Sequence, residues 1–325
     1  MVVTVYNSSG CVIGLAPFYS LETPGDPLAL RCLRLFGAID GAESATEEPI
    51  MMLRAGHEQE ALAALFRHFE QRTAFRSWDY LLMRWPTPAA PPPAYARAAW
   101  WPRFIETYQT DWNEVVSLPD SWAAFRQGLS KSMRDNLAYY PRLLTRGGHH
   151  WKIRVVESPN GMREAAETLV ALHHCRADSS RGKKHSNHLP GETHRRLLTC
   201  ALPRLAERNM ASIFLLEVDG TAVAALCALE NAGLVTIYYT GFNTAWYWCS
   251  PITILTAEAI RCAISKGNTA VNFLPTPMDW KTRWGAASQH KMLEVRRLSV
   301  RPLSLLRGCM AHRANRYGAR RLPQL

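Results

Sequence analysis

One stretch constrains this 325-residue chain more than any other. From Ala211 it reads "ASIFLLEVDGTAVAALCALENAGLVTIYYTGF", then "SPITILTAEAIRCAISKG" from Ser250 and "TAVNFL" from Thr269. Asp219–Gly220 and Asn231–Ala232–Gly233 interrupt apolar runs, which predicts two tight hairpins and three antiparallel strands. Ser250 can cap a helix whose first turn accepts Pro251, and Gly267 stops it. Ile254, Leu255, Ala259, Ile260 and Ala263 give that helix one apolar face. A meander followed by helix, strand, the short helical segment "MDWKTRWG" and the strand "MLEVRRLSV" requires an α/β chain of the α+β kind. Its sheet is mixed, mostly antiparallel and flanked by helices.

The length suits two domains, each able to bury a core. An apolar share of 47% against 20% charged residues excludes a disordered chain. "MVVTVYNSSGCVIG" predicts a hairpin, "LRCLRLFGA" and "WDYLLMRW" strands, and "EQEALAALFRHFEQR" a helix. The proline-rich "PTPAAPPPAYARAAW" marks a boundary, so residues 1–110 form a first unit, 111–300 a second and 301–325 a basic tail. In the second unit "PDSWAAFRQGLSKSMRDNLAYYPRLLTRGG" reads as helix, break, helix, with Pro141 kinking or ending the latter. "WKIRVVES" is a strand, and "GMREAAETLVALHHCRAD" and "THRRLLTCALPRLAERN" are helices.

Eight cysteines without a CxxC pair read as free thiols. No run is long and apolar enough to span a bilayer. The N-terminus lacks the charge and apolar pattern of a signal peptide, and the expected location is the cytoplasm. Lys and Arg exceed Asp and Glu by 38 − 27 = 11, a balance that favours anionic partners. Part of the excess lies in the arginine-rich C-terminus, a candidate for peripheral membrane contact or simply a solvated helix. His173 is a candidate base by its near-neutral pKa, although it sits on an apolar helical face. Lys131 and Arg134, one helical turn apart, are candidates for binding an anionic substrate. His185 and His188 have a metal-like spacing without further ligands, and no metal is expected.

Several ordered motifs then resemble one family. "LSKSMRDNLAYYPRLLTRGG" is similar to a K-x-x-R-x-N-L helix through Lys131, Arg134, Asn136 and Leu137. "LHHCRA" resembles an LH-x-x-R helix through His173 and Arg176. "YYTGFN" with "SPITILTAEAI" resembles a Y-x-x-G-F-D strand and an SPG-x-LL helix start. "NFLPTPMDWKTRWGA" resembles a DFL-x-G-x-x-x-YK-x-x-WG signature. Together they resemble the GNAT acyltransferases, in particular the exopolysaccharide or cellulose-biosynthesis acetyltransferases of bacteria, relatives of the Fem peptidyl transferases with tandem GNAT-like units. Asn272, Ile252 and Trp280 replace the aspartate, glycine and tyrosine of those motifs.

The resemblance implies an acyl-CoA-dependent N-acyltransferase, with acetyl-CoA or another acyl-CoA as co-substrate and an amine on a sugar, amino acid or small metabolite as acceptor. It implies pyrophosphate at the helix start, Ser250, Ile252 and Thr253, with Gly241 on the adjoining strand. His173, Tyr239, Asp279 and Lys281 become the catalytic candidates. Lys131, Arg134, Arg176, Tyr238, Trp280 and Trp284 become the substrate-binding ones. Tyr238 and Tyr239 should face opposite sides of the sheet. In "MDWKTRWG" the tryptophans should turn toward the sheet and the charges toward the cleft. One alternative is Fem-like transfer from aminoacyl-tRNA, the only case in which nucleic acid is expected. Another is a non-catalytic GNAT-like subunit of polysaccharide assembly.

Overall fold

The computed structural model describes residues 2–22, 31–36, 51–70, 80–86, 105–179, 187–189, 191–275 and 279–298. The chain forms two compact units, Met1–Asp111 with His290–Leu325, and Trp112–Gln289. The basic segment 301–325, His185 and the proline-rich stretch 87–100 lie outside the described residues.

Unit 1 opens with the hairpin of β1 (Val2–Tyr6) and β2 (Val12–Glu22). The Asn7 side-chain oxygen accepts from the Ser9 and Cys11 amides and so closes the turn. β3 (Arg31–Leu35), the short β4 (Met52–Leu53), helix α1 (Glu58–Glu70) and β5 (Tyr80–Pro86) follow. β2 pairs antiparallel with β3 and β4, and β3 runs parallel to β5. Ile13, Phe18, Leu35, Leu62 and Leu65 are buried together, so the apolar stripe of α1 covers this sheet.

β6 (Ile105–Ser117) passes from unit 1 into unit 2 at Trp112, and unit 2 continues through α2 (Trp122–Gly128), α3 (Lys131–Arg146), β7 (Trp151–Val156), α4 (Pro159–Ala177) and α5 (Glu192–Ala206). Then come β8 (Ala211–Val218), β9 (Thr221–Asn231), β10 (Leu234–Phe242), a 3-10 turn (Thr244–Cys249), α6 (Pro251–Ser265), β11 (Ala270–Pro275) and α7 (Asp279–Thr282). The last strand, β12 (Ala287–Leu298), pairs with β5, so from His290 onward the chain counts with unit 1 and the second unit ends before residue 300.

The strand order in unit 2 is β6-β11-β10-β9-β8-β7. Only β10 and β11 run parallel. Both hairpins have positive φ at two successive residues, Asp219–Gly220 and Ala232–Gly233. That geometry matches the twist of the flanking strands. The Ser121 and Ser130 hydroxyls accept from the Ala124 and Met133 amides and start α2 and α3. Pro141 sits inside α3, and the helix runs past it to Arg146.

Side chains on β8 and β9 alternate between two cores. Leu216, Leu226 and Ile237 pack with α6 and α3 on one face. Leu215, Cys227 and Tyr239 pack with α4 and α5 on the other. The mixed sheet flanked by helices is the α/β class expected from the meander. Among the described residues no helix is long and apolar enough to cross a membrane.

Candidate active site

The parallel pair at the centre of unit 2 parts early. Leu234, Val235 and Thr236 align with Ala270, Val271 and Asn272, and the register ends there, although β10 runs on to Phe242 and β11 to Pro275. Two strands that separate toward their carboxyl ends leave a wedge whose facing backbone edges are not paired with each other. Helix α6 connects these strands, so its first turn lies at the same end. Ligands of α/β folds gather at this end, where helix N-termini and loops meet.

A shallow cleft, open to solvent, sits at that first turn. Three helices line it. α3 supplies Met133, Asn136 and Tyr140, α6 supplies Ile252, Thr253 and Thr256 after its cap Ser250, and α7 and the turn after it supply Trp280, Arg283 and Trp284. Three of the four sequence motifs therefore converge on one cavity. Of the sequence-derived site residues it brings together Ser250, Ile252, Thr253, Trp280 and Trp284. The Asn136 amide and the Arg283 guanidinium line it with no hydrogen-bond or ion-pair partner among the described residues. Sequence reasoning named Asn136 only within its helix motif, and turned Arg283 toward the cleft with the other charges of "MDWKTRWG" without giving it a role. The helical spacing of Met133, Asn136 and Tyr140 and of Trp280, Arg283 and Trp284 is the signal that could have found them.

The start of α6 is less open to an anion than a bare helix end. Pro251 has no N–H. The amides of Thr253 and Ile254 both bond to the Ser250 carbonyl, and the Ser250 amide bonds to that of Tyr247. The Ser250 and Thr253 hydroxyls bond each other at 2.8 Å. Ile252 brings the one remaining amide of this turn, with a bulky side chain beside it.

On the other face, α4 presses against β10. Gly241 makes this possible, because a Cβ there would lie 2.3 Å from the His173 nitrogen. Gly241 is thus a packing residue rather than part of the cavity. His173 is 2% exposed. Its Nδ1 lies 2.9 Å from the Thr240 carbonyl oxygen, which can only accept, so Nδ1 carries the proton. Its Nε2 accepts from the His188 amide. Burial lowers its pKa, outweighing the raising effect of the Thr240 bond. With both nitrogens engaged, this neutral imidazole holds α4, β10 and the segment 187–189 together, and it has no lone pair left for an incoming amine. Arg176 donates to the Thr240 hydroxyl at 3.1 Å and stacks over Phe242. Burial lowers its pKa too.

The tyrosine alternation fails for a physical reason. The β10–β9 register shifts between Ile237 and Tyr239, so Tyr238 occupies a bulge. Tyr238 and Tyr239 consequently both pack against the α4 core, their rings 4.4 Å apart. Arg134 donates to the Leu129 and Gln127 carbonyls and so fastens the end of α2. Lys131 is exposed in the first turn of α3 and is absent from the cleft lining.

The orientation expected for "MDWKTRWG" is partly reversed. Trp284 is buried as expected, but Lys281 is 4% exposed while Trp280 is 39% exposed. The Lys281 ammonium donates to the Leu274 carbonyl at 2.8 Å, and Trp280 meets Phe273 edge to face at 5.3 Å. Asp279 is exposed and pairs with no cation among the described residues. Leu274 itself has φ +65°, a left-handed conformation that costs a bulky residue about 1–2 kcal/mol. The buried Asn272 side chain accepts the Leu274 amide at 2.7 Å. Among the described residues no group of three or more His, Cys, Asp or Glu side chains could hold a metal ion.

Residues 131–282 match the family described as acetyltransferase (GNAT) domain, a span that begins at α3 and ends at α7. Among solved structures the chain is similar to FemX, with 11% identity, 94% of this chain and 89% of that one covered, and a TM-score of 0.60. It is also similar to the C-terminal domain of a lysylphosphatidylglycerol synthetase from Agrobacterium fabrum, with 10% identity, 90% and 83% covered, and a TM-score of 0.55. At such identities these likenesses establish the fold. No curated protein matches the chain. Unit 2 thus has a GNAT-like fold.

Proposed function

We propose that the protein transfers an acyl group from an acyl-CoA thioester to an amine. The observation that carries this reading is the early parting of β10 and β11 beside a cleft at the start of α6. An extended chain carrying amides, such as the pantetheine arm, can bond the facing strand edges as a short extra strand. Its thioester then lies between the strands, where backbone N–H groups can polarise the carbonyl oxygen. Arg283, the Asn136 amide and the Ile252 amide suit the donor's phosphates. The amine nitrogen attacks the carbonyl carbon, the C–S bond breaks, and the thiolate takes up the proton that the amine releases. A thioester is activated enough that holding the two reactants in register supplies much of the acceleration. The motif resemblance favours a sugar or amino-sugar acceptor, as in exopolysaccharide assembly.

The test is a panel of acyl-CoAs in thermal denaturation and in a radiolabelled transfer assay with amine acceptors. A donor that binds only the native state raises Tm by mass action, so at least one acyl-CoA should raise it and label an acceptor. A specific observation favours a second reading. The few free amides and the bulk of Ile252 at the start of α6 suit a donor that lacks CoA's pyrophosphate, such as aminoacyl-tRNA. Tm unmoved by every acyl-CoA, together with amine-dependent deacylation of charged tRNA, would establish that reading instead.

A further inference from the structure

We infer that Lys281 and Asn272 are positioning residues that force β11 away from β10 by locking Leu274 in a left-handed bulge. The inference rests on the acyl-transfer reading for its consequence, though not for its geometry. Asn272 is the last β11 residue in register with β10, where it faces Thr236. In the pairing of β11 with β6 the register shifts between Asn272 and Pro275. Leu274 therefore sits at the point where the strand leaves its parallel neighbour and slips against its antiparallel one.

A bulge with positive φ is ordinarily the place of a glycine. Here a leucine adopts it, and both of its backbone polar groups are held by buried side chains. The Asn272 oxygen takes the amide at 2.7 Å, and the Lys281 ammonium gives a proton to the carbonyl at 2.8 Å. Asn272 is 3% exposed and Lys281 4%. Burying an ammonium is costly unless strong acceptors meet it. A charge-assisted bond to a carbonyl is among the stronger hydrogen bonds, strong enough to offset the left-handed strain. Lys281 reaches back from the single turn of α7, so the clamp also ties to β11 the helix that carries Trp280 into the cleft wall and leads into the turn of Trp284. The same contacts explain Asn272, whose amide oxygen accepts a bond that an aspartate oxygen would accept equally well.

The decisive experiment uses glycine as a suppressor. Lys281→Met, Asn272→Ala and Leu274→Gly are made singly, and the first two are also combined with the third. Displacement of the wedge by about 1 Å can cost on the order of 100-fold in rate. Lys281→Met should therefore lower kcat about that much, with the acceptor KM little changed, as befits a residue that touches no substrate. Adding Leu274→Gly should return most of the lost kcat, because glycine holds the left-handed bulge without a clamp. Hydrogen exchange at the residue 274 amide supplies a readout independent of activity. Its protection should drop in Lys281→Met and in Asn272→Ala. Equal slowing of Lys281→Met with and without Leu274→Gly, with the amide still protected, would overturn the inference and return Lys281 to direct substrate contact. Should wild-type protein transfer no acyl group at all, the acyl-transfer reading falls. The exchange data alone then decide the clamp, lost protection supporting it and unchanged protection refuting it.

Discussion

His173 shows how a side chain that looks catalytic in sequence is spent on structure. The same ring that is free to titrate in an unfolded chain is desolvated here, donates to Thr240 and accepts from the His188 amide. Its folded pKa lies below the ordinary 6.5, and that of His188 is lowered in the same direction by burial. The unfolded state therefore takes up protons first as pH falls. The stability these groups contribute is intact above 6.5 and is lost as pH drops from there toward the folded pKa values. Tm measured from pH 7.5 downward should fall below 6.5, and more steeply in wild type than in His173→Asn. The asparagine amide can still serve Thr240, so at neutral pH this variant should lose only about 1–3 kcal/mol for the unmet His188 amide. Its kcat should stay within about tenfold of wild type, since no proton transfer to substrate is removed. A collapse of kcat with Tm unchanged would restore His173 as a base. Gly241 makes the complementary case. Gly241→Ala places a methyl group against the backbone of Leu172 and His173. Neither strand nor helix can yield there cheaply, so a loss of about 3 kcal/mol or more is expected in chemical denaturation.

At the scale of elements, the start of α6 is where the two donor readings divide. Ile252→Gly removes the bulk beside the one available amide. It costs the helix about 1 kcal/mol, seen as a lower Tm of the free protein, and it should enlarge the Tm rise produced by CoA. An unchanged response would move the donor's phosphates away from this turn. The elements themselves were legible. The paired turn residues gave the meander, the Ser–Pro start and Gly267 bounded α6, and three separated motifs met at one cleft. What was not legible has specific causes. Nothing in a leucine signals a left-handed bulge, and nothing in the spacing of "MDWKTRWG" signals that Lys281 reaches back to the Leu274 carbonyl while Trp280 stays exposed. A bulge at Tyr238 likewise defeats any argument from strict alternation. Arg134 was readable as a surface cation, whereas its actual use, fastening the end of α2, depends on how the Leu129 and Gln127 carbonyls happen to be left by that helix.

At the scale of the whole molecule, the chain builds two units around separate cores, and its thiols report on each. Cys32 is buried in β3 of unit 1, where its sulfur accepts from Arg34. Cys227 and Cys249 are buried in the cores of unit 2. Burial pushes the Cys227 thiol up to about 12 and the Cys249 thiol up to about 11, so both are nearly devoid of thiolate at neutral pH and inert while folded. Cys11, Cys175 and Cys200 are exposed and should react at once with an alkylating reagent. Mass spectrometry after brief labelling across a urea series would then follow the two units independently. If the units unfold independently, Cys32 should become reactive at a urea concentration of its own, with Cys227 and Cys249 appearing together because the two cores that hold them share one sheet and are exposed by one event. Coincident transitions for all three would instead mean that the units unfold as one cooperative body.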